Sequence, residues 1–151
     1  MLKIPKRYSL RLSLVISAVF FALCILGAIF LPHITNTLIS LKERFPEGGA
    51  SAVLALAYAI LAVAAAADVL VFVLLLRVRK RLVFTDGSIA LVRGISWCCI
   101  LLGALFGVLG YYFLVSFTLA FAAVFLGICL RVVKNVLEEG AEIKSENDLT
   151  V

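Results

Sequence analysis

Residues 95–130 read ISWCCILLGALFGVLGYYFLVSFTLAFAAVFLGICL, a run of 36 residues without one charged side chain. As a single straight helix the run would extend about 54 Å at 1.5 Å per residue, whereas the hydrocarbon core of a bilayer is about 30 Å thick. One crossing would therefore push apolar residues into water. We predict two membrane-spanning helices joined by a tight turn, and hence an integral membrane protein.

Two further apolar segments raise the number of predicted spans to four. Residues 12–31 carry no charge, and residues 50–76 are interrupted only by Asp68. With 64% hydrophobic residues and a mean hydropathy of +1.18, little of the chain remains for a separate soluble domain. We predict an all-α polytopic membrane protein, a four-transmembrane-helix bundle in one domain over residues 1–151. The predicted spans are 12–31, 50–76, 92–110 and 114–131.

The positions of Lys and Arg predict the orientation, since basic residues stay on the cytoplasmic side of short connections. Four precede the first span, five lie within residues 77–93 and three follow residue 130, so twelve of the fourteen fall on one side. We therefore expect both termini to be cytoplasmic. We also expect an uncleaved first helix, because the exit of the first span lacks a small-x-small cleavage pattern.

The net charge of +5 does not indicate nucleic-acid binding. The basic residues adjoin the predicted spans, where anionic lipid headgroups are the nearest counter-charge. No finger spacing, recognition helix or aromatic-interleaved basic patch occurs. We predict that the lipid bilayer is the partner of this charge and that the chain does not contact nucleic acid directly.

Two segments outside the spans have amphipathic patterns. A short outer helix along the headgroup boundary is predicted by four apolar residues at helical spacing, Ile34, Leu38, Leu41 and Phe45. Residues 132–151 are predicted to continue the fourth span as a cytoplasmic helical tail. A protein partner, or the basic 77–93 connection of the same chain, would cover that tail.

Small residues predict where helices pack. The second span is rich in alanine, and we expect it to lie inside the bundle. Gly103 and Gly107 are four residues apart, as are Ala123 and Gly127, a spacing that lets helix backbones approach closely. We expect packing within the chain, with a homodimer face, and thus a homo-oligomer, as the alternative.

Asp68 is the one ionisable residue deep in an apolar span. An ionised carboxylate facing lipid is costly, so it should face other helices, be protonated or meet a donor. One interpretation is a hydrogen-bonded structural carboxyl; the other is a proton or cation path that includes Ser96 of the third span. Ser13 and Ser17 of the first span are expected to bond carbonyl oxygens one turn back.

The other reactive residues form no catalytic or metal-binding pattern. His33 is the only histidine, and no Cys-x-x-Cys spacing occurs among the four cysteines, Cys24, Cys98, Cys99 and Cys129. No hydrolytic constellation, phosphate-binding glycine loop or metal-binding carboxylate cluster can be assembled. We predict no enzyme activity, no cofactor and no metal.

Two stretches resemble a known family. FTDGSIALVRGISW at residues 84–97 and VLEEGAEIKSENDLTV at residues 136–151 are similar to the bacterial family catalogued as domain of unknown function 2975. The resemblance implies a four-span protein of the bacterial plasma membrane. It carries over no catalytic residue. Such proteins are often encoded beside a small helix-turn-helix regulator, which implies a membrane component that binds or restrains it.

Our leading hypothesis is a regulatory or sensory membrane partner that docks such a regulator on its cytoplasmic side. The candidate docking residues are Arg77, Arg79, Lys80, Arg81 and Arg93 in the connection, and Glu138, Glu139, Glu142 and Asp148 in the tail. One alternative is a small proton- or cation-coupled transporter centred on Asp68. Another is a structural subunit of a larger membrane complex.

Overall fold

A computed structural model describes the chain at residues 6–40, 49–80, 82 and 84–149. These residues form four helices, α1 (Lys6–Ser40), α2 (Gly49–Arg79), α3 (Asp86–Leu109) and α4 (Val115–Leu149). Each helix is long and apolar enough to cross a membrane. The prediction of an all-α chain with four long apolar helices is confirmed, and the protein is a multi-pass membrane protein.

The first helix is longer than the span predicted for it. α1 continues through Pro32, and its last two turns contain Ile34 and Leu38, which were expected to begin a separate outer helix. Proline is tolerated in membrane helices because neighbouring groups satisfy the backbone atoms that it leaves unbonded. The other two residues of the predicted outer helix, Leu41 and Phe45, lie outside the described residues.

The helices pack in chain order. α1 contacts α2, α2 contacts α3 and α3 contacts α4, and no other helix pair is in contact in the part of the chain that the structure describes. The helices therefore form an open row rather than a bundle in which α1 and α4 also meet. α2 lies between two neighbours, yet no residue of its most apolar window is buried. A helix with only two neighbours keeps one side open, so α2 is not the interior helix that its alanines predicted.

The pair formed by α1 and α2 is antiparallel. The hydroxyl of Tyr58 in α2 donates a hydrogen bond to the carbonyl oxygen of Ala28 in α1, at 3.2 Å. At Gly27, an added β-carbon would lie 3.7 Å from the Leu61 side chain, which is ordinary van der Waals contact. Nearer the start of α1 and the end of α2, Ser17 contacts Asp68 at 2.8 Å.

Two glycines bring α3 and α4 into close contact. A β-carbon on Gly127 of α4 would lie 3.2 Å from the carbonyl oxygen of Ser96, and one on Gly103 of α3 would lie 3.2 Å from that of Ala120. Both sites face the backbone of the partner helix, which cannot move aside as a flexible side chain can. By contrast, a β-carbon on Gly107 would meet nothing within 4 Å. Packing within the chain therefore uses Gly103 and Gly127, while a homodimer role for Gly107 stays a prediction.

We expect Gly103→Ala to lower the free energy of unfolding by about 1–3 kcal/mol, because the new methyl group would overlap the Val124 side chain and crowd the α4 backbone. Gly107→Ala is the matched control, since it brings the same gain in helix propensity, about 1 kcal/mol, into open space. Thermal unfolding of both variants in one detergent checks the difference. Equal melting temperatures would contradict the packing of Gly103.

Candidate functional site

Asp68 has a hydrogen-bond donor on the neighbouring helix. The hydroxyl of Ser17 in α1 donates to Oδ1 of Asp68 at 2.8 Å, and Ser17 is buried while Asp68 is half-buried. Asp68 precedes Arg77 by nine residues and Ser17 follows Arg11 by six, so the pair lies roughly 9–14 Å from these charges along the helices. Ser17 was expected to bond a carbonyl oxygen one turn back; its hydroxyl donates instead to Asp68 of the neighbouring helix. The sequence contained one indication of this pairing: Ser17 and Asp68 lie at similar distances from the basic residues that flank their spans.

Ser96 lies elsewhere. Its hydroxyl donates to the carbonyl oxygen of Gly127 at 2.7 Å, and the side chain is almost completely buried between α3 and α4. No hydrogen bond in the described residues connects Ser96 with Asp68. The structure thus places the two residues of the predicted intramembrane polar site at different helix pairs, each with a partner of its own.

The four cysteines form no disulfide bond within the described residues. All four are free thiols, with Cys24 buried and Cys129 exposed. Within residues 6–40, 49–80, 82 and 84–149, no group of three His, Cys, Asp or Glu side chains lies close enough to hold a metal ion.

A second group of polar contacts lies at one end of the helix row, which we call the basic end. It consists of the α2–α3 connection with the adjoining turns, residues 77–97, and the part of α4 that follows Leu130, residues 131–149. We call the latter part the α4 extension. Its 19 residues continue α4 by about 28 Å at 1.5 Å per residue.

The α2–α3 connection is held by hydroxyl groups that converge on one carbonyl oxygen. The hydroxyl of Ser88 donates to the carbonyl oxygen of Leu82 at 2.6 Å, and that of Thr85 donates to the same atom at 3.1 Å. Ser88 is fully buried. These bonds fix the direction in which α3 leaves the connection.

Arg77 packs on the first turn of α3. A β-carbon on Gly87 would lie 2.8 Å from the guanidinium carbon of Arg77 and 3.0 Å from Nη2. The absence of a side chain at Gly87 therefore leaves room for the guanidinium. Arg79 and Lys80 are exposed at the end of α2. Arg77 thus contributes to packing within the chain, whereas these two present their charges outward.

Phe84 connects the α2–α3 connection with the α4 extension. Its ring lies against Gly140, where an added β-carbon would be 2.7 Å from Cε1. Gly140 is a poor helix former, yet α4 continues through it to Leu149. The glycine provides the flat surface on which the aromatic ring packs.

An ionic cluster also joins α3 and the α4 extension. It lies between the contact of Phe84 with Gly140 and the apolar part of the helices. Glu138 accepts from Arg93 at 3.1 Å and from Lys134 at 2.6 Å. The hydrogen bond from Lys134 lowers the pKa of the Glu138 carboxyl, and Arg93 acts in the same direction. One turn deeper, the guanidinium carbon of Arg131 lies 4.7 Å from the centre of the Trp97 ring, a cation–π contact.

The predicted docking residues therefore separate into three groups. Arg77, Arg93 and Glu138 are engaged within the chain. Four point outward, namely Arg79, Lys80, Glu139 and Glu142. Arg81 lies outside the described residues, and Asp148 lies in α4 with its side chain outside the described part. The role of these residues in docking stays a prediction.

We expect Ser17→Ala to lower the free energy of unfolding by about 1–3 kcal/mol, because it removes the donor of a half-buried carboxyl group. Ser40→Ala is the control, since its hydroxyl bonds an exposed carbonyl oxygen in the same helix. Thermal unfolding of the variants in detergent measures the loss. In a double-mutant cycle with Asp68→Ala, which removes the acceptor, additive losses would contradict the coupling of Ser17 and Asp68.

Comparison with protein families covers almost the whole chain. The family model described as "Protein of unknown function (DUF2975)" matches residues 3–151. No curated protein and no solved structure matches the chain. The matched residues include the Ser17–Asp68 pair and the ionic cluster of the basic end. The chain belongs to the DUF2975 family.

Proposed function

We propose that this protein is a regulatory or sensory membrane partner that binds a small helix-turn-helix transcription regulator through the outward face of the α4 extension. The resemblance to the family supports the choice of partner, because such proteins are often encoded beside a small regulator of this type. The proposal assigns no enzymatic activity to the chain.

The charge distribution supports a cytoplasmic position for the basic end. Twelve of the fourteen Lys and Arg residues fall on that side of the predicted spans, and this bias sets the orientation of membrane proteins. In a bacterial plasma membrane the α4 extension then projects into the cytoplasm, as does the amino terminus. A cytoplasmic regulator would reach the extension without crossing the bilayer.

The outward face of the α4 extension carries the proposal. Val136 and Ile143 are 61% and 60% exposed, and they share one side of the helix with Glu139, at offsets of three and seven residues. Glu142 is also exposed beside Ile143. Glu138 contacts Arg93 and Lys134 on the opposite side of the helix. Gly140, one turn after Val136, contacts Phe84 at the edge of the outward face. These contacts hold the extension in place and leave Val136, Ile143, Glu139 and Glu142 exposed.

The charge of the extension indicates the chemistry of its partner. Five acidic and three basic residues lie within residues 131–149, which disfavours lying flat on an anionic lipid surface. Helix-turn-helix proteins carry basic surfaces that bind DNA phosphates. An acidic helix with exposed apolar residues fits a basic, partly apolar surface, as in other helix-in-groove complexes. Such binding would restrain the regulator by competing with DNA.

A small proton- or cation-coupled transporter centred on Asp68 has less support. The described donor to Asp68 is a serine hydroxyl, and Ser96 binds a carbonyl oxygen between another pair of helices. A transport path usually needs several polar groups around one cavity. These contacts instead favour a structural carboxyl.

We expect the pair Glu139→Gln and Glu142→Gln, and separately the pair Val136→Ser and Ile143→Ser, to weaken binding of the neighbouring gene's regulator at least tenfold. Tenfold corresponds to a loss of about 1.4 kcal/mol. Each pair removes half of the outward face, either its charge or its apolar contacts. Binding of the purified regulator to the full-length protein in detergent measures the effect.

Glu138→Gln is the matched control, because it removes the same charge one residue away but on the face that contacts Arg93 and Lys134. We expect it to change the dissociation constant by less than about twofold, since surface ion pairs contribute little to stability. A chain truncated after Leu130 should lose binding. Equal binding by the truncated and full-length chains would overturn docking through the extension.

A further inference from the structure

The ionic cluster of the basic end has more positive than negative charge. It consists of three cations, Arg93, Arg131 and Lys134, and one carboxylate, that of Glu138. Glu138 contacts Arg93 and Lys134, while none of the ion pairs in the described part of the chain includes Arg131. The cluster therefore carries a net charge of +2, and its exposed Arg131 contacts an aromatic ring instead of an acid.

The cluster lies at the boundary of the apolar zone. Trp97 is the third residue of the uncharged run 95–130, and Arg131 immediately follows that run. Because the α3–α4 hairpin returns to the same end, both residues lie where lipid headgroups begin. Trp97 is 57% exposed, and an indole at this depth has its apolar body toward the acyl chains and its N–H toward the headgroups.

The cation–π contact orients the guanidinium of Arg131. A guanidinium that lies over a ring keeps the N–H groups at its edge available, and these form a fork that fits two oxygens of a phosphate group. Arg93 is exposed one turn from Trp97 on α3 and adds a second cation. An anion with two phosphate oxygens would therefore meet donors as well as net positive charge.

We propose that Trp97, Arg131 and Arg93 bind the headgroup phosphate of an anionic phospholipid, at the end of the α3–α4 hairpin. An apolar stripe on α3 continues from Trp97 through Leu101 to Val108, and each of these side chains is at least half exposed. An acyl chain attached to the bound phosphate would lie along this stripe. The continuity of a cationic cluster with an apolar stripe favours a phospholipid over a free phosphate ion. This proposal stands without the regulator.

The chain offers a direct probe, because Trp97 is its only tryptophan. The full-length protein is reconstituted in phosphatidylcholine vesicles with a minority of phosphatidylglycerol, and brominated acyl chains are placed on one lipid or on the other. Bromine quenches indole fluorescence only at short range. We expect phosphatidylglycerol to be enriched roughly fivefold or more around Trp97 relative to its share of the bilayer. No enrichment in the wild-type protein would overturn the proposal.

Arg131→Gln should bring the enrichment of phosphatidylglycerol around Trp97 close to one, which means no enrichment. Arg93→Gln should reduce the enrichment about twofold or more. Arg79→Gln is the matched control, since it removes an exposed charge from the same end of the molecule, in α2. The comparison of the two labelled lipids cancels any direct effect of a substitution on the brightness of Trp97. Equal loss in Arg79→Gln and Arg131→Gln would show a general surface charge and overturn the site.

A free anion is tested in detergent. Phosphatidylglycerol should shift the emission of Trp97, whereas inorganic phosphate at the same concentration should leave it unchanged. An equal shift with inorganic phosphate would assign the cluster to a free anion and overturn the lipid proposal. Size-exclusion chromatography of each variant shows whether it is folded, and Arg93→Gln keeps the test available if Arg131→Gln does not fold.

Discussion

The fold depends on the need to return a 36-residue uncharged run to the side of the membrane where it began. Lipid offers no hydrogen bonds to the backbone, so each crossing must be a helix and the reversal must occur at the far end. Gly103 and Gly127 let the two helices of the resulting hairpin approach at backbone distance. Because the hairpin is antiparallel, residues at or beyond the two ends of the run meet again, and this is why Trp97 contacts Arg131 and Arg93 contacts Glu138.

The open row of helices determines which polar groups can pair. Within the described residues each helix packs only on its neighbours in sequence, so Asp68 finds its donor on α1 and Ser96 finds its acceptor on α4. A bundle in which all four helices face a common interior could bring such groups to one cavity. In the row, Asp68 and Ser96 each have a hydrogen-bond partner within their own helix pair. This arrangement accounts for a carboxyl in an apolar helix without requiring a path through the protein.

Hydropathy was sufficient to predict four spans, because 64% hydrophobic residues arranged in uninterrupted stretches leave few other folds. The register between helices could not be predicted in the same way. Gly103 and Gly107 have the same spacing signal, yet one faces a backbone and the other faces open space, since a helix turns by about 40° over four residues. Gly140 is a poor helix former, and its contact with Phe84 gives it a packing role that only the tertiary structure shows.

The two proposals meet in one continuous helix. α4 runs without interruption from the apolar zone through Arg131 to Leu149, so the direction of its extension depends on how its boundary residues are held. Glu138 fixes the extension to α3, and Gly140 fixes it to the α2–α3 connection. A phospholipid bound at Arg131 would hold the same helix one to two turns earlier, at the membrane surface. Val136 and Glu139 would then face the cytoplasm at a defined angle, which is the requirement for a rigid docking face.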